Sequence, residues 1–378
     1  MSRVALVRCA DYEPARVRQA VQHGLDLLGG AKFFVAPGEN ILLKPNLLTA
    51  EKPEKCVTTH PSVFKAVASV FQEAQAILSY GDSPAFESPQ KVARKTGIMG
   101  AAEELAIPLA DFQTGVEVSY SAGRQNKRFT IARGALDTQG IISLPKLKTH
   151  GLARMTGCVK NQFGCVPGLL KGEFHVKLSN VNDFARMLVD LNLLLKPRLY
   201  IMDGIIAMEG NGPRGGNPRK MGVLLFSADP IALDATVCRM VDLDPSLVPT
   251  ILLGHEAGLG KYSEQEIELI GDPLDEFIVN DFDVRRESLR AFRSSGLFRL
   301  IKNALVPKPF IIKEKCRKCG ICTQICPVDP KAVDWHNGDR NSFPSFKYDR
   351  CIRCYCCQEL CPESAIELKT NLIRHFLS

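Results

Sequence analysis

Along the first 280 residues, short apolar runs alternate with longer stretches in which apolar and polar residues mix at helical spacing. A short apolar run bounded by turn residues fits a strand buried on both faces, and the mixed stretches fit amphipathic helices. The predicted strands are Val4–Val7, Ile41–Leu43, Ala76–Ser79, Gly140–Leu144, Arg198–Met202, Gly222–Phe226 and Ile267–Ile270. The predicted helices are Pro14–Leu28, Pro61–Gln72, Asn180–Leu195 and Pro230–Val241, the last opened by Asp229 as a cap before a first-turn proline. This alternation predicts an α/β fold, with a largely parallel sheet flanked by helices, over an N-terminal domain of residues 1–280.

Polar residues collect where these strands end. Ile41–Leu43 runs into Lys44-Pro45-Asn46, Ala76–Ser79 into Gly81-Asp82-Ser83, Gly140–Leu144 into Lys146, Lys148 and His150, and Arg198–Met202 into Asp203. In open α/β sheets the ligand crevice lies outside the carboxyl ends of the strands, so four such clusters predict one shared cleft. Lys44, Lys146, Lys148, His150 and Lys160 make that cleft cationic and complementary to a carboxylate or phosphate. A lysine desolvated among other cations is also a candidate base or nucleophile. For any one lysine the plain alternative is an exposed surface residue; their clustering sets these apart. Two glycine-rich stretches, 156–168 and 209–216, are permissive backbone expected to wall the cleft, and neither is a P-loop or a Rossmann fingerprint.

The cysteines extend the picture beyond this domain. Cys316, Cys319, Cys322 and Cys326, with Pro327 after the last, are echoed by Cys351, Cys354, Cys357 and Cys361, with Pro362 after the last. This is the ligand spacing of a bacterial ferredoxin site, in which the fourth cysteine of each run crosses to the other cluster. Cluster I is therefore assigned to Cys316, Cys319, Cys322 and Cys361, and cluster II to Cys351, Cys354, Cys357 and Cys326. Two [4Fe-4S] clusters are thus expected in a small α+β ferredoxin-like domain at residues 313–378. Zinc also uses Cys-x2-Cys pairs, but it needs four ligands where eight are offered. Disulfides are disfavoured because no basic and apolar export signal opens the chain, so a reducing cytoplasm is the expected location. Cys356 falls out of register with the motif and reads as a non-ligand. Cys9, Cys56 and Cys238 read as packing residues; Cys158 and Cys165, near His150 and His175 in sequence, read the same way, with a redox or metal role as the alternative.

Residues 281–312 form the expected connector. Over 285–318, eleven Lys and Arg stand against two acids, an excess larger than the +7 of the whole chain. Apolar residues at roughly helical spacing predict one or two amphipathic helices ending at Pro307-Lys308-Pro309. A solvated connector is the plain reading, and a docking surface for an acidic redox partner or an anionic membrane face is the alternative. No nucleic-acid reading module accompanies this charge, and no apolar run approaches the length of a membrane span. Counting eight thiolates and two oxidised cubane cores lowers the formal charge of the chain from +7 to about +3.

Lys44-Pro-Asn, Thr59-His60-Pro61, Gly81-Asp-Ser-Pro, Pro145-Lys-Leu-Lys-Thr-His150, Lys160-Asn161-Gln-Phe-Gly164 and Ser227-Ala-Asp-Pro-Ile-Ala-Leu-Asp234 together resemble the domain of unknown function DUF362. Members of that family often carry a C-terminal two-cluster ferredoxin module, and the stretch from Cys351 to Pro362 resembles their second motif. The first motif departs from the common pattern by two extra residues between Pro327 and Ala332. Asn46, His60, Asp82 and Asn161, which lie in these motifs, and Asp203, from the strand-end clusters, are the candidate substrate- or cofactor-binding residues, and the resemblance names no reaction. Two functions are expected from here. One is a ferredoxin-linked redox enzyme, or its electron-transfer subunit, that binds an anionic small molecule and meets a redox partner protein. The other is a non-redox isomerase, lyase or ligase using Lys/His acid–base chemistry, with clusters for structure or sensing. A plain electron carrier with an inert scaffold leaves the cationic cleft unexplained.

Overall fold

The computed structural model describes residues 1–287 and 306–369. The bulk of the basic connector, including the helices predicted for it, lies outside the described residues. Strands β1 (Ser2–Arg8), β2 (Asn40–Pro45), β3 (Ile77–Tyr80), β4 (Gly140–Leu144), β5 (Lys146–His150), β6 (Arg154–Thr156), β7 (Leu199–Glu209), β8 (Asn217–Ser227) and β9 (Ile267–Gly271) make one sheet. Its order is β9-β1-β8-β7-β4-β2-β3, with β5 pairing both β7 and β6. The β9–β1, β7–β4, β4–β2, β2–β3 and β5–β7 pairs are parallel. Only β8, which runs against both β1 and β7, and the short β5–β6 pair depart from this within the sheet.

Helices cover both faces, which is why the strands read as continuous apolar runs. Successive residues of a strand point to opposite sides. Ala5, Val7, Ile201 and Phe226 pack with helices α1 (Pro14–Leu27) and α2 (Pro61–Glu73). Val4, Leu6, Met202 and Leu225 pack on the other side. Five helices follow β6 in the chain up to β9, of which four matter here: α3 (Cys158–Asn161), α4 (Leu170–Lys177), α5 (Val181–Leu195) and α6 (Pro230–Met240). The second face is closed by α5 and α6. Asp229 caps α6 as the sequence predicts, accepting the N–H groups of Ile231 and Ala232. At Gly24, α1 approaches the sheet so closely that a Cβ would lie 2.2 Å from the buried ring of Phe226.

Two predicted boundaries move. The strand expected to stop at Met202 continues to Glu209, and Lys146–His150, expected as a polar loop, is the strand β5. The cause is one ion pair. Lys146 and Asp203 face each other across β5 and β7, with Nζ 2.8 Å from the carboxylate and both side chains at most 1% exposed. Charge that looks like a strand end in sequence is cancelled inside the sheet. Tyr12 donates to the same carboxylate at 2.8 Å and accepts from Lys146 at 2.7 Å, and the His60 N–H donates to it at 3.0 Å.

The C-terminal module pairs β10 (Lys308–Ile311) with β13 (Ile366–Lys369), and β11 (Val333–Trp335) with β12 (Pro344–Phe346), both antiparallel. Its short helices are α7 (Ile321–Ile325) and α8 (Cys356–Glu359). Its buried core is Cys326, Ala332, Val333, Cys357, Cys361, Ala365 and Ile366, so cysteine supplies much of it. A core this small rarely holds a domain without a metal.

The glycine-rich stretch 209–216, expected to wall the cleft, gives it Pro213 and otherwise braces this module. Gln358 donates to the Asn211 side chain at 2.8 Å and to the Gly212 carbonyl at 3.1 Å. Arg214 reaches the Leu360 carbonyl at 2.9 Å while pairing with Glu51 at 2.6 Å. Gly151 is equally tight, since a Cβ there would meet Leu368 at 2.9 Å. Among the described residues no helix is long and apolar enough to cross a membrane.

Removing one partner of a buried ion pair strands the other charge, at a cost of about 3–5 kcal/mol. Asp203→Asn is expected to destabilise the protein by that amount in chemical denaturation. Adding Lys146→Met should restore part of the loss, and a double mutant no better than the single would show that the pair is not the source.

Candidate functional site

The eight motif cysteines line two separate hollows. Cys316, Cys319, Cys322 and Cys361 surround one of about 350 Å³, and Cys326, Cys351, Cys354 and Cys357 surround another of about 320 Å³. This is the crossed partition that the spacing predicts, with the fourth cysteine of each run in the other run's hollow. Lys318 and Arg353 take left-handed backbone at φ 57° and 60°, as do Gly320 at 75° and Tyr355 at 63°. These turns bend each ligand loop around its hollow. The N–H groups of Ala332 and Ala365 donate to the sulfurs of Cys326 and Cys361, each at 3.3 Å.

The donor set fits a cubane better than a single ion. Zn–S bonds of about 2.3 Å would draw four sulfurs tightly around one point. Among the described residues no three His, Cys, Asp or Glu side chains converge in that way; the thiols stand around a cavity instead. All the cysteines are free. Cys356 lies outside both hollows, and Cys9, Cys56, Cys158, Cys165 and Cys238 are buried in or beside the N-terminal core.

At the carboxyl ends of β2 and β3 the predicted polar residues come together, in layers. The lowest layer is fully buried. Lys44 lies 2.9 Å from Asp82, and Asp82 also accepts the Leu47 N–H at 2.6 Å. With the Lys146–Asp203 pair, this removes two of the expected cations as free charges. Gly164 passes so close over Asp82 that a Cβ would sit 1.7 Å from its oxygen. His60 is structural here, because its ring stacks on Tyr12 at 3.6 Å and its Nδ1 accepts the Ser62 N–H at the start of α2. Burial takes its pKa down to about 4, against the Asp203 charge, which favours the protonated ring.

Above this layer lies an open cavity, about 730 Å³ when its solvent-filled mouth is counted, bordered by Asn46, Asp82, Lys160, Asn161, Lys171 and His175 on the N-terminal side. Ile325, Cys356, Glu359 and Leu360 of the ferredoxin module close the other side. A smaller polar annex of about 280 Å³ adjoins it, sharing Asn46, Lys160, Asn161 and Glu359 and adding Lys146, Lys148 and Thr156. Asn161 ties the walls together, donating to Ser143 at 2.9 Å and to the Lys44 carbonyl at 3.2 Å. The short helix α3 that carries it is fixed from below by Asp234, which accepts the Cys158 N–H at 2.7 Å. Burial lifts the Asp234 carboxyl to about 6, against the N–H groups of Cys158 and Val159 that favour its charge.

Lys148 is held without a carboxylate, donating to Asn46 at 2.7 Å and to the Val57 carbonyl at 2.6 Å. Burial first, then the Lys160 charge, brings it down to about 7. Lys171 donates to the carbonyls of Ser83 and Val166 and is lowered to about 7 by the same burial. His150 accepts the N–H groups of Leu152 and Ala153 on Nδ1, so the neutral ring carries its proton on Nε2. That Nε2 is buried, has no hydrogen-bond partner and points at Glu359, 3.6 Å away. Burial, with the Lys160 charge beside it, lowers His150 to about 4. Lys160 stands 3.7 Å from the other oxygen of Glu359. Burial pushes the Glu359 carboxyl up, but Lys160 and the approach of His150 outweigh it and keep the group well below the usual carboxylate range.

Glu359, Lys171, His175, Tyr12 and Asp234 are therefore parts of the site that the strand-end pattern does not single out. Glu359 is the only acid on α8 and sits two residues from two cluster cysteines, where it reads as an ordinary surface position of a ferredoxin repeat.

A family profile described as "Domain of unknown function (DUF362)" matches residues 41–239, and one described as "4Fe-4S dicluster domain" matches 308–362. A thylakoid-associated protein of Synechocystis sp. is 40% identical over 257 residues, covering 68% of this chain and 79% of that protein. Among solved structures, the lactate racemase apoprotein of Thermoanaerobacterium thermosaccharolyticum aligns with a TM-score of 0.38 and 11% identity, over 61% of this chain and 55% of that one. A Thermotoga maritima protein aligns with a TM-score of 0.35 and 10% identity, over 56% of each. The profile that spans more than half of the sequence, and a relative of this identity and coverage, establish that the chain belongs to the DUF362 family, joined here to a 4Fe-4S dicluster domain.

Proposed function

We propose that this iron–sulfur protein carries two [4Fe-4S] clusters and exchanges electrons between them and a small anionic molecule in the cavity, as a ferredoxin-linked oxidoreductase or the electron-transfer subunit of one. One observation carries the reading: the module forms a wall of the cavity with residues adjacent to its cluster ligands. Ile325, Cys356 and Leu360 line the cavity, and their neighbours Cys326, Cys357 and Cys361 line the hollows. Each bound cluster would supply or accept one electron. The chain's own residues do the rest. The thiolates hold the clusters, the buried ion pairs fix the cavity floor, and Lys148 and Lys160 offer positive charge and protons to a bound anion.

A second reading rests on Lys148 alone. A lysine lowered to about 7 is suited to proton transfer, and this favours a non-redox isomerase, lyase or ligase whose clusters are structural or sensing. The compartment we propose is the reducing cytoplasm. The relative named for its thylakoid association points to a membrane face of such a compartment, which the basic run 285–318 suits. An acidic redox partner protein is proposed for the same charge.

Iron and acid-labile sulfide on anaerobically purified protein are expected at about eight each per chain, with spin-coupled EPR signals after dithionite reduction. Four irons, or zinc in their place, would break the relay. Once a substrate is found, turnover that survives Cys357→Ser and Cys322→Ser with the clusters lost would favour the second reading.

Anion binding should depend on pH through Lys148. An anion in the annex favours the ammonium form, so affinity is full below about pH 6 and falls roughly tenfold per unit well above pH 7 as the lysine loses its proton. Calorimetric titration between pH 6 and 9 checks this; a flat profile removes Lys148 from the binding site.

A further inference from the structure

The cavity and its annex differ in character, and the difference specifies a ligand class. The annex is polar, edged by Asn46, Lys148, Thr156, Lys160, Asn161 and Glu359. The outer chamber adds apolar walls from Pro84, Ala85, Phe163, Leu169, Ile325 and Leu360. Leu169 is 66% exposed while lining the chamber, which marks it as the mouth. Phe86 and Val176, exposed at 46% and 42%, each follow a lining residue, Ala85 and His175. Of these three, Leu169 lines the cavity itself, and a large apolar side chain left in water at its mouth suits an apolar body.

Charge limits the polar end. Lys44 is cancelled by Asp82 and Lys146 by Asp203, while Lys160 faces Glu359. With Lys148 protonated, the annex is left with one net positive charge, which matches a monoanion. Lys148 and Lys160 both border the annex, and only Lys160 of the two also borders the chamber. Lys171 borders the chamber, but its ammonium is turned to the Ser83 and Val166 carbonyls, so the head of a ligand belongs inside and its body outside.

We infer that the site takes an amphipathic monocarboxylate, its carboxylate in the annex on Lys148 and Lys160 and its bulky apolar body in the chamber, against Phe163 and Leu360, running out past Leu169. This rests on the reading that the cavity binds a small anion, and it adds the shape and charge of that anion.

The test is calorimetric titration of the anaerobically purified holo-protein at pH 6.5 with four probes: 2-naphthoate, acetate, inorganic phosphate and 2-naphthylmethanol. Naphthoate is expected to bind at least tenfold more tightly than each of the others. Leu169→Ser, at an exposed position where folding is not at stake, should weaken naphthoate several-fold and leave acetate and phosphate unchanged. Lys148→Met should bring naphthoate down to the level of the neutral alcohol, with near-native circular dichroism confirming that the variant folds. Acetate or phosphate binding as well as naphthoate would overturn the apolar part, and naphthylmethanol binding as well would overturn the carboxylate part. If phosphate or acetate binds and naphthoate does not, this inference fails while the anion site stands. If no anion binds, both fail, whatever the iron content proves to be.

Discussion

A charge taken out of water must meet an opposite charge or give up its proton, and the functional end of this protein is arranged around that rule. Lys146–Asp203 and Lys44–Asp82 are both essentially inaccessible to solvent. Between them they tie β2, β5 and β7 to the loop after β3, and Tyr12 and His60 are fastened to the same carboxylates or rings. Because these pairs are satisfied, the floor of the cavity is rigid and electrically quiet. The lysines that are left, Lys148 and Lys171, have only carbonyl or amide oxygens to donate to and settle near neutrality instead. The result is a cavity whose charge responds to what enters it.

The same rule joins the two halves of the chain. Lys160 and His150 are presented at the top of the N-terminal domain, and the carboxylate facing both comes from the ferredoxin module. Hydrogen bonds around it, from Gln358 to the Asn211 side chain and the Gly212 carbonyl and from Arg214 to the Leu360 carbonyl, set the module's distance from the sheet. Glu359 thereby belongs to the docking surface and to the cavity wall at once.

The strands were legible because helices bury both sides of the sheet, which leaves uninterrupted apolar runs such as Val4–Val7. The gathering of Lys44, Asp82 and Asn161 at the strand ends was legible too, since polar residues follow each apolar run there. What sequence could not show is pairing. Lys146 and Asp203 are far apart in the chain, so each looks like a free charge at a strand end, and their mutual neutralisation lets β5 and β7 run on through them. Glu359 was hidden for a different reason, since its partners lie on another domain. Lys171 and His175 fall in a short helix without a strong apolar face, and Tyr12 precedes α1 with no motif around it. The grouping of the cysteines around two hollows follows the motif spacing, which is a local property of the chain.

The ferredoxin module is nearly a repeat of itself, and Cys319–Cys326 maps onto Cys354–Cys361 residue by residue. Gly320 and Tyr355 share the same left-handed turn, although only the glycine adopts it without strain. By that mapping Thr323 corresponds to Gln358 and Gln324 to Glu359. A module turned about its internal pseudo-twofold would offer the domain two equivalent sulfur cages, yet it would lose the tyrosine that reaches the Pro307 carbonyl and set an uncharged amide before Lys160 and His150. Near-symmetry in the metal cages is thus broken by a handful of side chains on one half, and they act as a key that decides which half of the module sets a carboxylate before Lys160 and His150.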